Sequence, residues 1–305
     1  MQSARLRQMM LSNRLSALGL VIVTVVVVTA ILFSVLGARI TPYDPGRLDL
    51  AAANLPPSLS HFFGTDFEGR DIFSRVIAAL PIDIGIPIVV VLFSATVGIF
   101  LGVVAGYRGG LLDEVIMRVT DLFLAFPTII MVLAIAATLG RSLLNATLAV
   151  FFVWWPPYVR LVRGGVLEVS TEDFISISKS LNSSFFYIMR KGILPNVVPT
   201  IITYATLDVG TALLSVSILG YLGVGIPIGT PELGVMVGSI TYNLYTYPLE
   251  ALLPAFATMV IVAGFSFLGE GARESTDVKV RPHMVFRERG LKKPQTPGPE
   301  LQELR

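Results

Sequence analysis

The stretch IGIPIVVVLFSATVGIFLGVVAGY, Ile84 to Tyr107, contains no charged side chain. Its length is near the roughly 20 residues a helix needs to cross the hydrocarbon of a bilayer. Working outward, further charge-free runs lie at Leu15–Ala38, Leu122–Gly140, Ser142–Val159 and Ala251–Gly269. Gly192–Pro231 supplies another, broken only by Asp208. Six runs predict an all-α polytopic membrane protein with six transmembrane helices. Leu15–Ala38 would reach about 36 Å at roughly 1.5 Å per residue, longer than a signal-peptide core, so it is expected to stay as the first span.

Composition agrees. Of 305 residues, 53% are hydrophobic and 14% charged, and mean hydropathy is +0.74, too much apolar surface for one soluble core. A formal charge of +2 gives no basis for nucleic-acid binding. The lack of cysteine excludes disulfides, thiolate metal sites and a cysteine nucleophile.

Positive charge sets the expected orientation, because cytoplasmic loops collect Lys and Arg. With the N-terminus inside, outer segments carry Arg39, Arg47, Arg70, Arg75 and Arg141, and the other 18 of the 23 basic residues fall inside (23 − 5). Both termini are thus expected in the cytoplasm of a cell whose plasma membrane the chain crosses several times. The expected organisation is a cytoplasmic N-terminus at 1–14, a first span at 15–38 and an extracellular segment at 39–80. A five-helix core at 81–275 follows, containing an inner loop at 168–195, and then a cytoplasmic tail at 276–305. That tail, with Lys292, Lys293, Pro294, Pro297 and Pro299, is too polar to bury a core and reads as solvated.

The inner loop, Glu168 to Pro195, is the polar break that carries function. Ser170 and Asp173 have the spacing of a capping box, predicting an amphipathic helix over Ser170–Leu181. Phe174, Ile177 and Leu181 would share one face, with Glu172, Ser176 and Lys179 largely off it. Asn182 suits a left-handed helix end, Ser183 or Ser184 a second cap, and Phe185, Phe186, Ile188 and Met189 a second short helix that Pro195 is expected to stop. On residues alone, a linker helix against the membrane is the alternative.

Asp173-Phe174-Ile175-Ser176-Ile177-Ser178-Lys179-Ser180-Leu181-Asn182, followed by Ile193-Leu194-Pro195-Asn196, resembles the coupling loop of ABC-importer permeases. That pattern is Glu-Ala-Ala, three residues, Gly, then Ile-x-Leu-Pro. Here Ser176, Ile177 and Ser178 stand where Glu-Ala-Ala is expected, and Asn182 replaces the glycine. His61-Phe62-Phe63-Gly64-Thr65-Asp66, Gly69-Arg70-Asp71, Asp113, Asp121, Arg160-Leu161-Val162-Arg163-Gly164 and Leu222-Gly223-Val224-Gly225 extend the match over most of the chain. Together they resemble the dipeptide/oligopeptide/nickel permease family, of the second-permease type.

The resemblance implies a type I permease subunit of a binding-protein-dependent importer. Its implied partners are a second homologous permease, two ATP-binding subunits that carry the ATP and Mg, an extracellular substrate-binding protein and the lipid bilayer. No cofactor or metal is expected in this chain, and it has no Gly-x-x-x-x-Gly-Lys-Ser/Thr loop. The implied coupling residues are Asp173, Phe174, Ser176, Ile177, Ser178, Lys179, Leu181, Asn182, Ile193, Leu194 and Pro195. The family's substrates are peptides, nickel chelates and, in some microbes, oligosaccharides.

Asp208, the single charge inside its span, is either part of a translocation path or a buried structural carboxylate. Gly64–Asp71 reads as a packed outer turn with an Arg–Asp pair. His61 and His283 read as solitary hydrogen-bonding side chains, and Trp154 and Trp155 as interface anchors. Two rival functions stand beside the importer. One is a secondary transporter or channel with Asp208 as its ion or proton site; the other is a non-transporting scaffold.

Overall fold

The computed structural model describes residues 13–276 and contains helices joined by turns, with no strand among the described residues. The predicted tail, His283 and the N-terminal Arg5 and Arg7 lie outside the described residues.

The chain order begins with α1 (Arg14–Leu36), α2 (Ile72–Arg108), α3 (Gly110–Leu124) and α4 (Thr128–Leu139). It continues with α5 (Leu143–Trp154), α6 (Pro156–Ser170), α7 (Asp173–Ser180) and α8 (Phe185–Tyr187). After a widened π turn, Ile188–Ile193, come α9 (Leu194–Tyr221), α10 (Leu233–Ser239) and α11 (Pro248–Thr276).

Among the described residues, four helical stretches are long and apolar enough to span a membrane: Arg14–Ile40, Ile72–Arg108, Phe185–Tyr221 and Pro248–Glu274. A fifth exists if α3 and α4, bent by 84°, count as one. Two of the six charge-free runs expected to form spans are broken. Leu122–Gly140 is split because Pro127, which has no N–H and a fixed φ, precedes α4 after the turn. Ser142–Val159 is divided at Trp155, where Pro156 and Pro157 open α6 and carry it on to Ser170.

Residue Ile72 starts α2 twelve positions before the charge-free run. Asp71 caps it, its Oδ2 accepting from Ser74 N–H at 2.8 Å and from the Ser74 hydroxyl at 2.6 Å. The charges that hid this extension, Arg75 and Asp83, are buried. Arg75 donates to the carbonyls of Pro45 (3.3 Å) and Gly229 (3.4 Å), tying the preceding segment and the loop after α9 to the helix. Arg70 Nε pairs with Asp66 at 2.7 Å, the Arg–Asp contact expected of this turn. His61 Nδ1 meets Asp71 Oδ1 at 3.0 Å and stacks on Tyr43.

Between the long helices, small residues replace hydrophobic burial as the means of close packing, since lipid offers no apolar contrast. Gly98, Gly102 and Gly106 recur every four residues on α2. They face Tyr158, Val162 and Val166 on α6, which share the same spacing. Gly19 on α1 similarly sits against Gly264 and Phe267 on α11.

Candidate coupling surface and buried carboxylates

The loop over residues 168–195 is built around one buried anchor that the helical-face argument missed. Ile175 is 1% exposed, and Gly192 sits under it so closely that a Cβ there would come 2.6 Å from Ile175 Cδ1. Ile188, Met189 and Ile193 are buried beside it. With that face fixed, Phe174, Ile177 and Leu181 point outward, 46%, 60% and 75% exposed. Ser176 is exposed as well and Ser178 half-buried, and the Ser178 hydroxyl returns to the Phe174 carbonyl at 2.8 Å. Lys179 Nζ lies 5.3 Å from the centre of the Tyr107 ring, at the end of α2.

The helix ends differ from two expectations. Ser170 does not cap α7; it ends α6, and Thr171 and Glu172 make the turn between the two. The backbone turn from α6 uses the residues that the capping box required, so Asp173 enters the first helical turn uncapped by Ser170. Pro195 does not stop a helix. It occupies the opening turn of α9, where a missing N–H costs nothing, and the π turn before it closes with Leu194 N–H on the Met189 carbonyl.

Asn182 has φ 54°, the left-handed conformation. Its N–H reaches the Lys179 carbonyl and Ser183 N–H reaches the Ser178 carbonyl, both at 3.0 Å, the two bonds of a Schellman end. Ser184 then accepts from Tyr187 N–H at 3.3 Å. Outside this capped core, a cleft of about 680 Å³ opens beside the loop, lined by Gly164, Glu168, Glu172, Phe174, Asn196 and Thr200 among others. One side of α7 is therefore without support from the described residues.

Two ion pairs join α3 to α6, the helix that leads into the loop. Arg163 Nε and Nη2 grip the two oxygens of Asp113 at 2.5 and 2.7 Å, and Arg160 Nη2 meets Asp121 at 2.6 Å. The partners in the first pair are 50 residues apart and those in the second 39, so sequence spacing gave no signal that they meet.

Asp208 is buried on α9. Its Oδ2 accepts from Trp154 Nε1 at 2.8 Å and from the Tyr158 hydroxyl at 2.7 Å. The carboxylate thus connects α9 to α5 and α6. Trp154 is 8% exposed, so it is a core donor and not an interface anchor; Trp155 is the partly exposed neighbour, bonded to the Phe152 carbonyl. Among the described residues no group of three or more His, Cys, Asp or Glu has metal-binding geometry.

Residues 98–281 match the family described as "Binding-protein-dependent transport system inner membrane component". The chain is 36% identical over 255 residues to the probable D,D-dipeptide transport system permease protein DdpC of Escherichia coli K12, covering 84% of this chain and 86% of the relative. It is 33% identical to the oligopeptide permease OppC of Bacillus subtilis 168, covering 88% and 87%. Against the nickel permease NikC of E. coli K12 it is 34% identical, covering 80% and 87%. A solved structure of the MetNI methionine ABC transporter shares the fold, with TM-score 0.55, 19% identity and coverage of 66% of this chain and 96% of that one.

The class is therefore settled: the chain is an inner membrane component of a binding-protein-dependent transport system. Within that class it belongs to the dipeptide, oligopeptide and nickel permease family of ABC importers.

Proposed function

We propose that this chain is one of two permease subunits of an ATP-driven importer of peptides or related small solutes, oligosaccharides included, and forms half of its translocation path. Two ATPase subunits bind ATP and Mg, an extracellular binding protein delivers the solute, and both termini of this chain face the cytoplasm.

The observation that carries this reading is the apolar ridge of Phe174, Ile177 and Leu181, exposed on a helix whose opposite face is pinned by Ile175 on Gly192. A helix laid in a groove of a partner uses such spaced anchors. Each anchor burying about 100 Å² contributes on the order of 2 kcal/mol before ordering costs. Asp173, Ser176, Ser178, Lys179 and Asn182 shape and flank that contact, and Ile193, Leu194 and Pro195 carry its movement into α9. Asp208 serves in this reading as a joint that makes α5, α6 and α9 move together.

Leu181→Asp tests the assignment. The variant is expected to reach the membrane at normal level, to lose co-purification of the ATPase and to lose uptake. Unchanged ATPase capture and uptake would show that the ridge is not the coupling surface.

A further inference from the structure

One buried polar cluster is used neither by the coupling surface nor by the Asp208 joint. Asp83 on α2 and Glu232, immediately before α10, are wholly buried, and Ser217 on α9 is 8% exposed. Glu232 Oε1 accepts from Gly234 N–H at 3.0 Å and Oε2 from Val235 N–H at 2.6 Å. Asp83 Oδ2 accepts from Leu233 N–H at 3.2 Å. Asp83 Oδ1 and Ser217 Oγ have no hydrogen-bond partner within geometric limits, yet both side chains face the Glu232 carboxyl.

Two adjacent carboxylates without a counter-charge cannot both stay ionised in a site closed to water. No Lys, Arg or His among the described residues acts on either one; α2 contributes Asp83, α9 contributes Ser217 and α10 contributes backbone N–H groups. A metal ion fits poorly, because three of the four carboxylate oxygens already accept from N–H donors. Gly220 also presses on Glu232 Oε2, leaving no room for even a methyl group between them. A proton needs only the free oxygen.

We propose that Asp83 and Glu232 form a one-proton binding site, the proton carried on Asp83 Oδ1 and shared with the Glu232 carboxyl, which clasps α10 to α2. Ser217, whose hydroxyl is otherwise without a partner among the described residues, would donate to the same carboxyl. Burial pushes Glu232 up from its ordinary value, partly opposed by its hydrogen bonds. The folded state therefore keeps a proton that an unfolded chain releases. Its stabilising contribution is present at acidic pH and is lost as pH rises through the folded value of the pair.

The test uses the complete importer complex in lipid nanodiscs and does not depend on what is transported. Infrared difference spectra between wild type and Asp83→Asn are expected to show loss of a protonated-carboxyl C=O band. The asparagine amide replaces the acid proton as donor, so the variant's thermal midpoint should no longer fall as pH rises through the range where wild type loses stability. Glu232→Gln should also remove the band, its amide donating to an ionised Asp83. A band and a pH dependence unchanged in both variants would overturn the proposal. If neither variant folds, Ser217→Ala decides: a protonated-carboxyl band that shifts when this hydroxyl is removed supports the site, and a band left unmoved overturns it.

Discussion

Gly102 on α2 and Val162 on α6 are packed so closely that a Cβ on the glycine would lie 2.6 Å from Val162 Cβ. Gly106 repeats the contact one turn on, at 2.9 Å from Val166 Cβ. Two helices in this register have no space for a branched side chain at the middle position. Gly102→Leu is expected to cost about 1–3 kcal/mol by overpacking, and more if the helices separate. Gly109→Ala, where nothing lies within 4 Å but φ is 63°, tests strain without crowding. Thermal unfolding of the purified complex should rank Gly102→Leu well below Gly109→Ala; equal midpoints would show that the glycine stripe does not set the helix spacing.

The Asp208 joint predicts a graded series. Asp208→Leu strands the Trp154 and Tyr158 donors, at about 1–3 kcal/mol for each. Asp208→Asn keeps one acceptor oxygen and should cost less. Tyr158→Phe removes one donor and should resemble Asp208→Asn. Assembly, read by size exclusion of the complex, should fall in the same order as uptake. Uptake lost in Asp208→Asn with assembly and thermal midpoint intact would instead favour a role in the translocation path.

Arg163 and Asp113 offer a third measurement. Lysine cannot reproduce the two parallel bonds of the guanidinium. Because both side chains are partly solvated, Arg163→Lys should cost only about 1 kcal/mol or less in stability. Its larger effect is expected on coupling, because α6 enters the loop directly: ATP hydrolysed per solute imported should rise. Asp113→Asn should behave the same way, and the double variant should add little to either single change.

The membrane-crossing runs were legible because a bilayer demands continuous apolar sequence, and that demand leaves a local mark. Where the structure departs, the cause is long-range. Arg75 and Asp83 interrupt the α2 run, yet one donates to carbonyls of Pro45 and Gly229 and the other accepts from Leu233 N–H through Oδ2 alone. The helical-face argument passed over Ile175 because its seat, Gly192, lies on another element. Trp154 near a run's end matched the pattern of an interface anchor, and only Asp208, 54 residues on, explains its burial. Asn182 was readable because its backbone preference is its own.

Asn182 supplies the last prediction. It holds the left-handed position at which the family pattern places glycine, and it does so with both bonds of the Schellman end formed. Asn182→Gly removes the Cβ conflict and should leave the loop as stable or firmer by up to about 1 kcal/mol. Asn182→Val forces a β-branched residue into the same conformation, at a cost of about 1–2 kcal/mol. That cost falls on the turn aiming Leu181 outward, so Asn182→Val should weaken ATPase co-purification while the rest of the chain stays folded. Limited proteolysis at 181–184 separates the cases: valine should expose the turn to cleavage and glycine should not. Equal cleavage of both variants would mean that the left-handed turn does not hold α7 in place.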